Sequence, residues 1–286
     1  MRITILANYD LPSNYALNIL LQDLGEHELT IFLSDRVGKA GQRPHALENL
    51  AFFEQSLFTR LLFPALSGVM NGEINDGMKG GVNLEDRPYL MSFEGLAKKS
   101  ENPIRILNAI NKGEGFATLK DSNPDLIVTI RYGIILKEEV IALPQYGVIN
   151  LHSGLLPEYK GVMASFRALL AGDEIIGTTL HYIPDASIDT GPVIGTSSFK
   201  VVPNKSYLWH VLSLYPCGCE LILQTIETIA SHGCVDSEHQ LGGGNYYSFP
   251  TETELEEFSR SGRHLFDVGE ILDFANHYLP KVNQER

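Results

Sequence analysis

Residues 1–34 read MRITILANYDLPSNYALNILLQDLGEHELTIFLS, and their pattern of apolar and polar positions decides the fold. Arg2 to Ala7 is a short apolar β run, and Asp10 to Asn14 is turn and helix-cap material. Over residues 14–24, Ala16, Leu17, Ile19, Leu20, Leu21 and Leu24 recur at helical spacing. Glu28 to Ser34 (ELTIFLS) is a second β run. Strand, helix, strand in this order is the unit of a parallel sheet with crossover helices. The first βα turn is Ala7-Asn8-Tyr9-Asp10-Leu11-Pro12 and has no GxGxxG, which argues against a nicotinamide oxidoreductase.

The alternation continues downstream. Ala46 to Leu66 carries Leu and Phe at helical spacing, residues 92–100 read as helix, Pro103 to Leu107 as strand and 108–121 as helix. Asp125 to Ile130 (DLIVTI) is apolar almost throughout, as expected of a strand covered on both faces, and Gly147 to Leu151 is another strand. The Gly-, Asn- and Asp-rich stretch 70–87 is expected to be a surface loop; its Gly77, Gly80 and Gly81 lack the GxxxxGK[ST] spacing of a phosphate cradle. After residue 204 the character changes: 207–231 is a long helix, 241–250 a Gly-rich aromatic loop, and 252–260 and 267–278 two short helices. The expected fold is α/β, a Rossmann-like and mostly parallel sheet flanked by helices, with a smaller helix-rich C-terminal region. The expected division is 1–204 for the catalytic domain and 205–286 for the C-terminal region.

Composition bounds the function. The chain has 286 residues, 44% hydrophobic and 20% charged, with a net charge of −13. Residues 205–286 hold 5 basic and 12 acidic side chains, a net −7. Nucleic-acid affinity comes largely from neutralising phosphates, so this balance argues against a nucleic-acid partner. No apolar run approaches the roughly 18–20 residues of a membrane span, and the apolar N-terminal stretch is too short for a signal peptide. A cytoplasmic location is the expectation. Cys217, Cys219 and Cys234 are too few and too tightly spaced for an ordinary metal knuckle, and are expected to be reduced thiols. No metal site is expected.

Chemistry-bearing residues are densest at 150–161, Asn-Leu-His-Ser-Gly-Leu-Leu-Pro-Glu-Tyr-Lys-Gly. Two positions apart on a strand, Asn150 and His152 share a face. Both sit at the carboxyl end of a parallel strand, where open α/β sheets gather their chemistry. Asp189-Thr190-Gly191 follows in a loop between the strands expected at 178–183 and 193–201. Singly, each has a structural reading: a hydrogen-bonded histidine, a generic turn, a strand-end asparagine. Ser153 has no nucleophile context, Lys160 reads as a solvated lysine, and His181 as a structural residue near the site.

Taken together, Val148-Ile149-Asn150-Leu151-His152, Leu155-Leu156-Pro157, Gly161, Gly172, Gly177-Thr178-Thr179 and Asp189-Thr190-Gly191 resemble the folate-dependent formyltransferase family, as does Tyr132-Gly133-Ile134-Ile135-Leu136. The resemblance covers roughly residues 1–204 and is sharpest over 125–200. It implies 10-formyltetrahydrofolate as formyl donor and Asn150, His152 and Asp189 as catalytic residues. An amine attacking a formyl carbon places negative charge on oxygen, which needs donors already in position. Asn150 offers a neutral NH₂, His152 a donor and proton shuttle, and Asp189 a group that orients and stabilises the imidazolium. The resemblance further implies a cofactor pocket lined by Tyr132, Gly133, Ile134, Ile135 and Leu136, closed on its other side by Asp185, Ala186 and Ser187. This chain departs from the family pattern at Gly154, where a serine is usual, and in a segment between His181 and Asp189 one residue longer than the commonest spacing.

The expected function is N-formyl transfer to the amine or hydroxylamine of a small-molecule intermediate, of amino-sugar or N-hydroxyornithine type. Alternatives are a formyltetrahydrofolate hydrolase, disfavoured because the chain begins directly on its first strand, and a methionyl-tRNA formyltransferase-like enzyme, disfavoured by the acidic tail. A non-catalytic folate-binding protein is the remaining reading. Expected partners are the small-molecule amine, no nucleic acid and no membrane, with a homodimer allowed.

Overall fold

A computed structural model describes residues 1–36, 43–70, 89–100 and 104–279, without the side chains of 67–70. Apart from Met70, the stretch expected as a Gly-rich loop, with Gly77, Gly80 and Gly81, lies outside the described residues.

The opening unit is β1 (Arg2–Asn8), α1 (Leu11–Asp23) and β2 (Glu28–Ser34), with β1 and β2 parallel. Asp10 caps α1 by accepting from the Ser13 amide, and Pro12 occupies the first turn, where its missing N–H is no loss. The long apolar stretch that follows is helical from end to end: α2 (His45–Ala51), a π-helical segment (Phe52–Leu62) and α3 (Phe63–Met70). Next come α4 (Phe93–Lys99), the two-residue β3 (Arg105–Ile106) and α5 (Gly113–Asp121). The helix expected from 108 therefore begins five residues later, after the turn that carries Asn108 and Asn111.

β4 (Leu126–Ile130), α6 (Glu138–Ile141), β5 (Val148–His152), β6 (Tyr159–Gly161), α7 (Ala164–Ala171), β7 (Ile175–Tyr182) and β8 (Val193–Lys200) complete the sheet region. The main sheet runs β3-β2-β1-β4-β5-β7-β8, parallel through β5 and antiparallel at β7 and β8. Side chains alternate across it: Ile3, Ile5, Leu126, Val128 and Ile130 enter one core, while Leu6, Ile127 and Val148 enter the other.

α8 (Tyr207–His232) packs into the first of these cores through Val211, Tyr215, Ile222 and Ile226. The C-terminal region is thus built on the same core as the sheet, joined by α9 (Glu252–Arg260) through Leu255 and Phe258 and by Ile271 of α10 (Val268–Ala275). The loop expected at 241–250 contains a short strand, β9 (Asn245–Tyr247), that pairs in parallel with β6. Sequence periodicity cannot reveal three residues whose only β signal is a distant partner. The three cysteines are free thiols. Among the described residues no helix is long and apolar enough to cross a membrane, and no cluster could hold a metal ion.

Candidate active site

Strand register builds the first row of the site. Thr129 of β4 stands opposite Asn150 of β5, and Asn150 opposite His181 of β7. Cross-strand neighbours on one face lie within reach of each other. Thr129 Oγ1 donates to Asn150 Oδ1 at 2.7 Å, and Asn150 Nδ2 lies 3.1 Å from His181 Nε2. His181 Nδ1 faces the Tyr182 carbonyl at 2.8 Å and so carries a proton. Its Nε2 is also 3.4 Å from Asp189 Oδ1. A neutral His181 therefore accepts from Asn150, whereas a protonated one donates toward Asp189.

His152 ends β5 on the same face as Asn150. Its Nε2 donates to the Tyr159 carbonyl at 2.7 Å, which leaves Nδ1, 3.5 Å from Asp189 Oδ2, as the nitrogen able to gain or lose a proton. Asp189 is buried and adopts a left-handed backbone, φ 54°. Its Oδ2 accepts from the Gly161 amide at 2.8 Å. Burial pushes the Asp189 carboxyl up, but attraction to His152, the contact with His181 and the Gly161 amide outweigh it and hold it below the usual carboxylate range. Asn150, His152 and Asp189, separated by up to 39 positions in sequence, are thus brought into one cluster.

Gly154 has a steric role in this arrangement. A Cβ there would lie 2.4 Å from the Ala164 Cβ and 2.9 Å from His152 Nε2. A side chain such as the family's usual serine would displace the imidazole or α7. Gly161 is equally constrained, with φ 94° and the Tyr247 carbonyl 2.2 Å from where a Cβ would sit.

Two cavities meet at this cluster. One, of about 290 Å³, is lined by Tyr132, Gly133, Ile134, Ile135 and Leu136 on one side and by Asp185, Ala186 and Ser187 on the other. All eight residues expected around a cofactor therefore border a single space, together with Thr129 and His181. Tyr132 is held in place by donating its hydroxyl to the Leu107 carbonyl. The second cavity, of about 280 Å³, is lined by His152, Ser153, Arg43, Glu54, Arg131 and Tyr207, among others. Asn150 and Asp189 border both. Lys160 points elsewhere and donates to the Gly243 carbonyl.

Several residues escaped sequence reasoning. Arg131, which follows β4 with φ 57°, donates from Nε to Asp10 Oδ2 at 3.0 Å and from Nη2 to Glu54 Oε1 at 3.4 Å. Burial works against its charge, but Asp10 and Glu54 more than compensate. Burial pushes the Glu54 carboxyl up, Asp10 adds to this, and Arg131 offsets only part of it. An arginine directly after an apolar strand was the available signal; its acidic partners, 121 and 77 positions away, could not be read locally.

Residues 103–208 match the formyl transferase family. The chain carries a formyl transferase domain. Over that segment the chain is similar to the formyl transferases that its motifs resemble. It is 32% identical over 136 residues to the methionyl-tRNA formyltransferase of Kosmotoga olearia, a match that covers 48% of this chain and 43% of that protein. The chain spans about half or less of the length of the curated relatives it matches. The fold is shared with a 4-N formyltransferase from Francisella tularensis (TM-score 0.55, 14% identity, covering 92% of this chain and 88% of that one). It is shared also with a sugar 3N-formyl transferase crystallised in the presence of dTDP and 5-N-formyl-THF (TM-score 0.52, 16% identity, covering 86% and 69%).

Proposed function

We propose that this protein moves a formyl group from 10-formyltetrahydrofolate to the nitrogen of a small-molecule amine or hydroxylamine. The observation that carries the reading is the position of Asn150 and Asp189 on the shared border of two adjoining cavities. Group transfer requires donor and acceptor to approach the same reacting atom from different sides. The cavity lined by Tyr132 to Leu136 suits the donor. Ile134, Leu136 and Ile183 offer apolar walls for a flat ring system, and Asp185 and Ser187 a polar rim. 10-Formyltetrahydrofolate, when bound, supplies the formyl carbon on a nitrogen that can leave.

The chain's own residues supply the rest. Asn150 Nδ2 has a second N–H, beyond the one directed at His181, to donate to the oxygen on which charge develops. His152 keeps its Nε2 proton on the Tyr159 carbonyl, so Nδ1 accepts the proton of the attacking amine and later returns it to the departing nitrogen. Asp189, ionised at neutral pH, stabilises the charged imidazole between those steps. His152 borders the second cavity and His181 the first, so the amine is assigned to the cavity that holds Arg131 and Glu54.

The acidic C-terminal region supports a small acceptor such as an amino sugar or an N-hydroxyornithine-type amine. The identity to methionyl-tRNA formyltransferases favours a second acceptor, an aminoacyl-tRNA. One assay separates them: tetrahydrofolate formation from 10-formyltetrahydrofolate with a panel of amines, with methionyl-tRNA, and with no acceptor. Amine-dependent turnover is the expected result. Equal rates without acceptor would show a hydrolase, and no turnover under any condition would overturn formyl transfer.

A further inference from the structure

Gln240 lies between α8 and β9, beyond the segment that matches the family, and reaches back to the loop that carries Asp189. Its Nε2 contacts the carbonyls of Asp189 at 3.0 Å and Gly191 at 2.9 Å, so both protons of the amide are used. Two residues earlier, Glu238 exchanges backbone hydrogen bonds with Val193 at 2.7 and 2.8 Å. Downstream, the Tyr247 carbonyl accepts from the Val162 amide at 2.8 Å, and β9 pairs with β6. β6 contains Gly161, whose amide holds Asp189 Oδ2. One stretch, 238–247, therefore supports Asp189 twice: at its backbone through Gln240, and at its carboxylate through β6.

Asp189 needs that support. A left-handed φ is disfavoured for residues with a Cβ, less so for Asp and Asn than for others, and surrounding contacts help to hold it. Relaxation toward an ordinary backbone would swing the carboxylate away from Gly161 and His152. The other end of the Gln240 amide gives a second indication: Oε1 is buried with no hydrogen-bond partner among the described residues. An unpaired buried oxygen is unfavourable, so this side chain is not there for its own solvation or packing. Its two N–H contacts are the compensating gain.

We propose that Gln240 is a positioning residue, clamping the loop 189–191 so that the Asp189 carboxylate stays against Gly161 and His152. The clamp rests on geometry alone, and its catalytic meaning rests on the formyl transfer proposed above. Gln240 borders neither cavity, so its loss should leave donor binding intact.

The test uses the full chain with Gln240→Leu, which removes both donors at similar size, and Gln240→Glu, whose carboxylate repels the two carbonyls. The Gly161 amide proton, followed by NMR hydrogen exchange, reports the carboxylate contact without any substrate. Transfer from 10-formyltetrahydrofolate to hydroxylamine reports function without needing the natural acceptor. Both variants should speed Gly161 exchange and lower kcat about tenfold, with KM for the donor within about twofold. The acid limb of the kcat profile should move upward, because a displaced Asp189 loses His152, His181 and the Gly161 amide together. Unchanged exchange in a folded variant overturns the clamp, whether or not kcat falls. Faster exchange with unchanged kcat overturns the catalytic meaning. If Gln240→Leu does not fold, Gln240→Glu gives the same readouts. Absence of transfer by the parent protein to hydroxylamine and to every acceptor of the panel above would defeat the formyl-transfer reading, while the exchange result would still decide the clamp.

Discussion

Thr129 Oγ1 donates to Asn150 Oδ1 at 2.7 Å, and this bond sets which end of the Asn150 amide faces His181 and which faces β4. With Oδ1 occupied, the NH₂ faces His181, and the transfer proposed above assigns its second N–H to the formyl oxygen. A second acceptor for the same hydroxyl, the Ile149 carbonyl at 3.3 Å, is too long to compete strongly. Thr129→Val keeps the shape but removes the donor, so the amide loses its orientation. Turnover should fall by roughly three- to tenfold, the worth of one neutral hydrogen bond, and Thr129→Ser should restore it. Steady-state rates of tetrahydrofolate release check this. Equal rates for the Val and Ser variants would show that the hydroxyl is not needed.

Replacing the amide itself should be far more damaging. Asn150→Ala should lower kcat by about 10²–10³, as expected for loss of one oxyanion donor, while urea midpoints shift little. His152→Ala should lower kcat by orders of magnitude through loss of the proton acceptor. Near-normal rates in either variant would refute the roles assigned here.

Gly154→Ala should displace His152. The added methyl would meet the Ala164 Cβ at 2.4 Å and His152 Nε2 at 2.9 Å, and overpacking of this kind costs about 1–3 kcal/mol. Adding Ala164→Gly removes the closer clash and should recover part of both stability and activity. Urea unfolding of the single and double variants measures the coupling. Additive effects would mean that the two sites do not touch in the way described.

Asp189 links the site to pH. Its carboxyl is held below the usual value of 3.8, so the folded state favours the ionised form. A depressed acid contributes stability above the unfolded value and loses it as pH falls through the folded one. The stability difference between the parent protein and Asp189→Asn should therefore be full above about pH 5 and shrink below about pH 4. Chemical denaturation at several pH values reads it. A difference that stays constant down to pH 3 would contradict the ionised, paired carboxylate.

Arg131 separates two acids in the second cavity. Arg131→Met leaves Asp10 and Glu54 facing each other in a largely buried space, with an expected loss of about 3 kcal/mol. The Glu54 carboxyl already titrates above its ordinary range, and losing Arg131 raises it further. An acid whose folded pKa is raised adds stability as pH falls, so the variant should recover as pH approaches the carboxylate range. Glu54→Gln in the same background should rescue stability at neutral pH. Thermal unfolding across pH tests both statements.

The sequence by itself determined most of the main sheet and which residues to expect at the site. Alternating apolar runs in 1–34 and the all-buried β4 follow from local patterns, because burial on one or both faces leaves a period that residues a few positions apart reveal. Asn150 and His152 lie two apart on one strand, so their common face was readable too. Asp189 was recognisable only through its family pattern, since nothing local distinguishes it from a turn aspartate. Arg131, Glu54, Thr129 and Gln240 were not recognised at all.

Only the tertiary structure decided what surrounds those groups. Thr129 meets Asn150 because β4 and β5 pair in one particular register, and a shift of one residue would send it to the opposite core. Arg131 finds Glu54 because the helical stretch 45–70 lies over the strand ends, and Gln240 finds Asp189 because β9 joins β6. Likewise Nδ1, and not Nε2, is the nitrogen of His152 left facing Asp189, because a backbone carbonyl seven residues away takes the other. Each of these depends on which distant segments pack together, and contact between distant segments leaves no period in the chain.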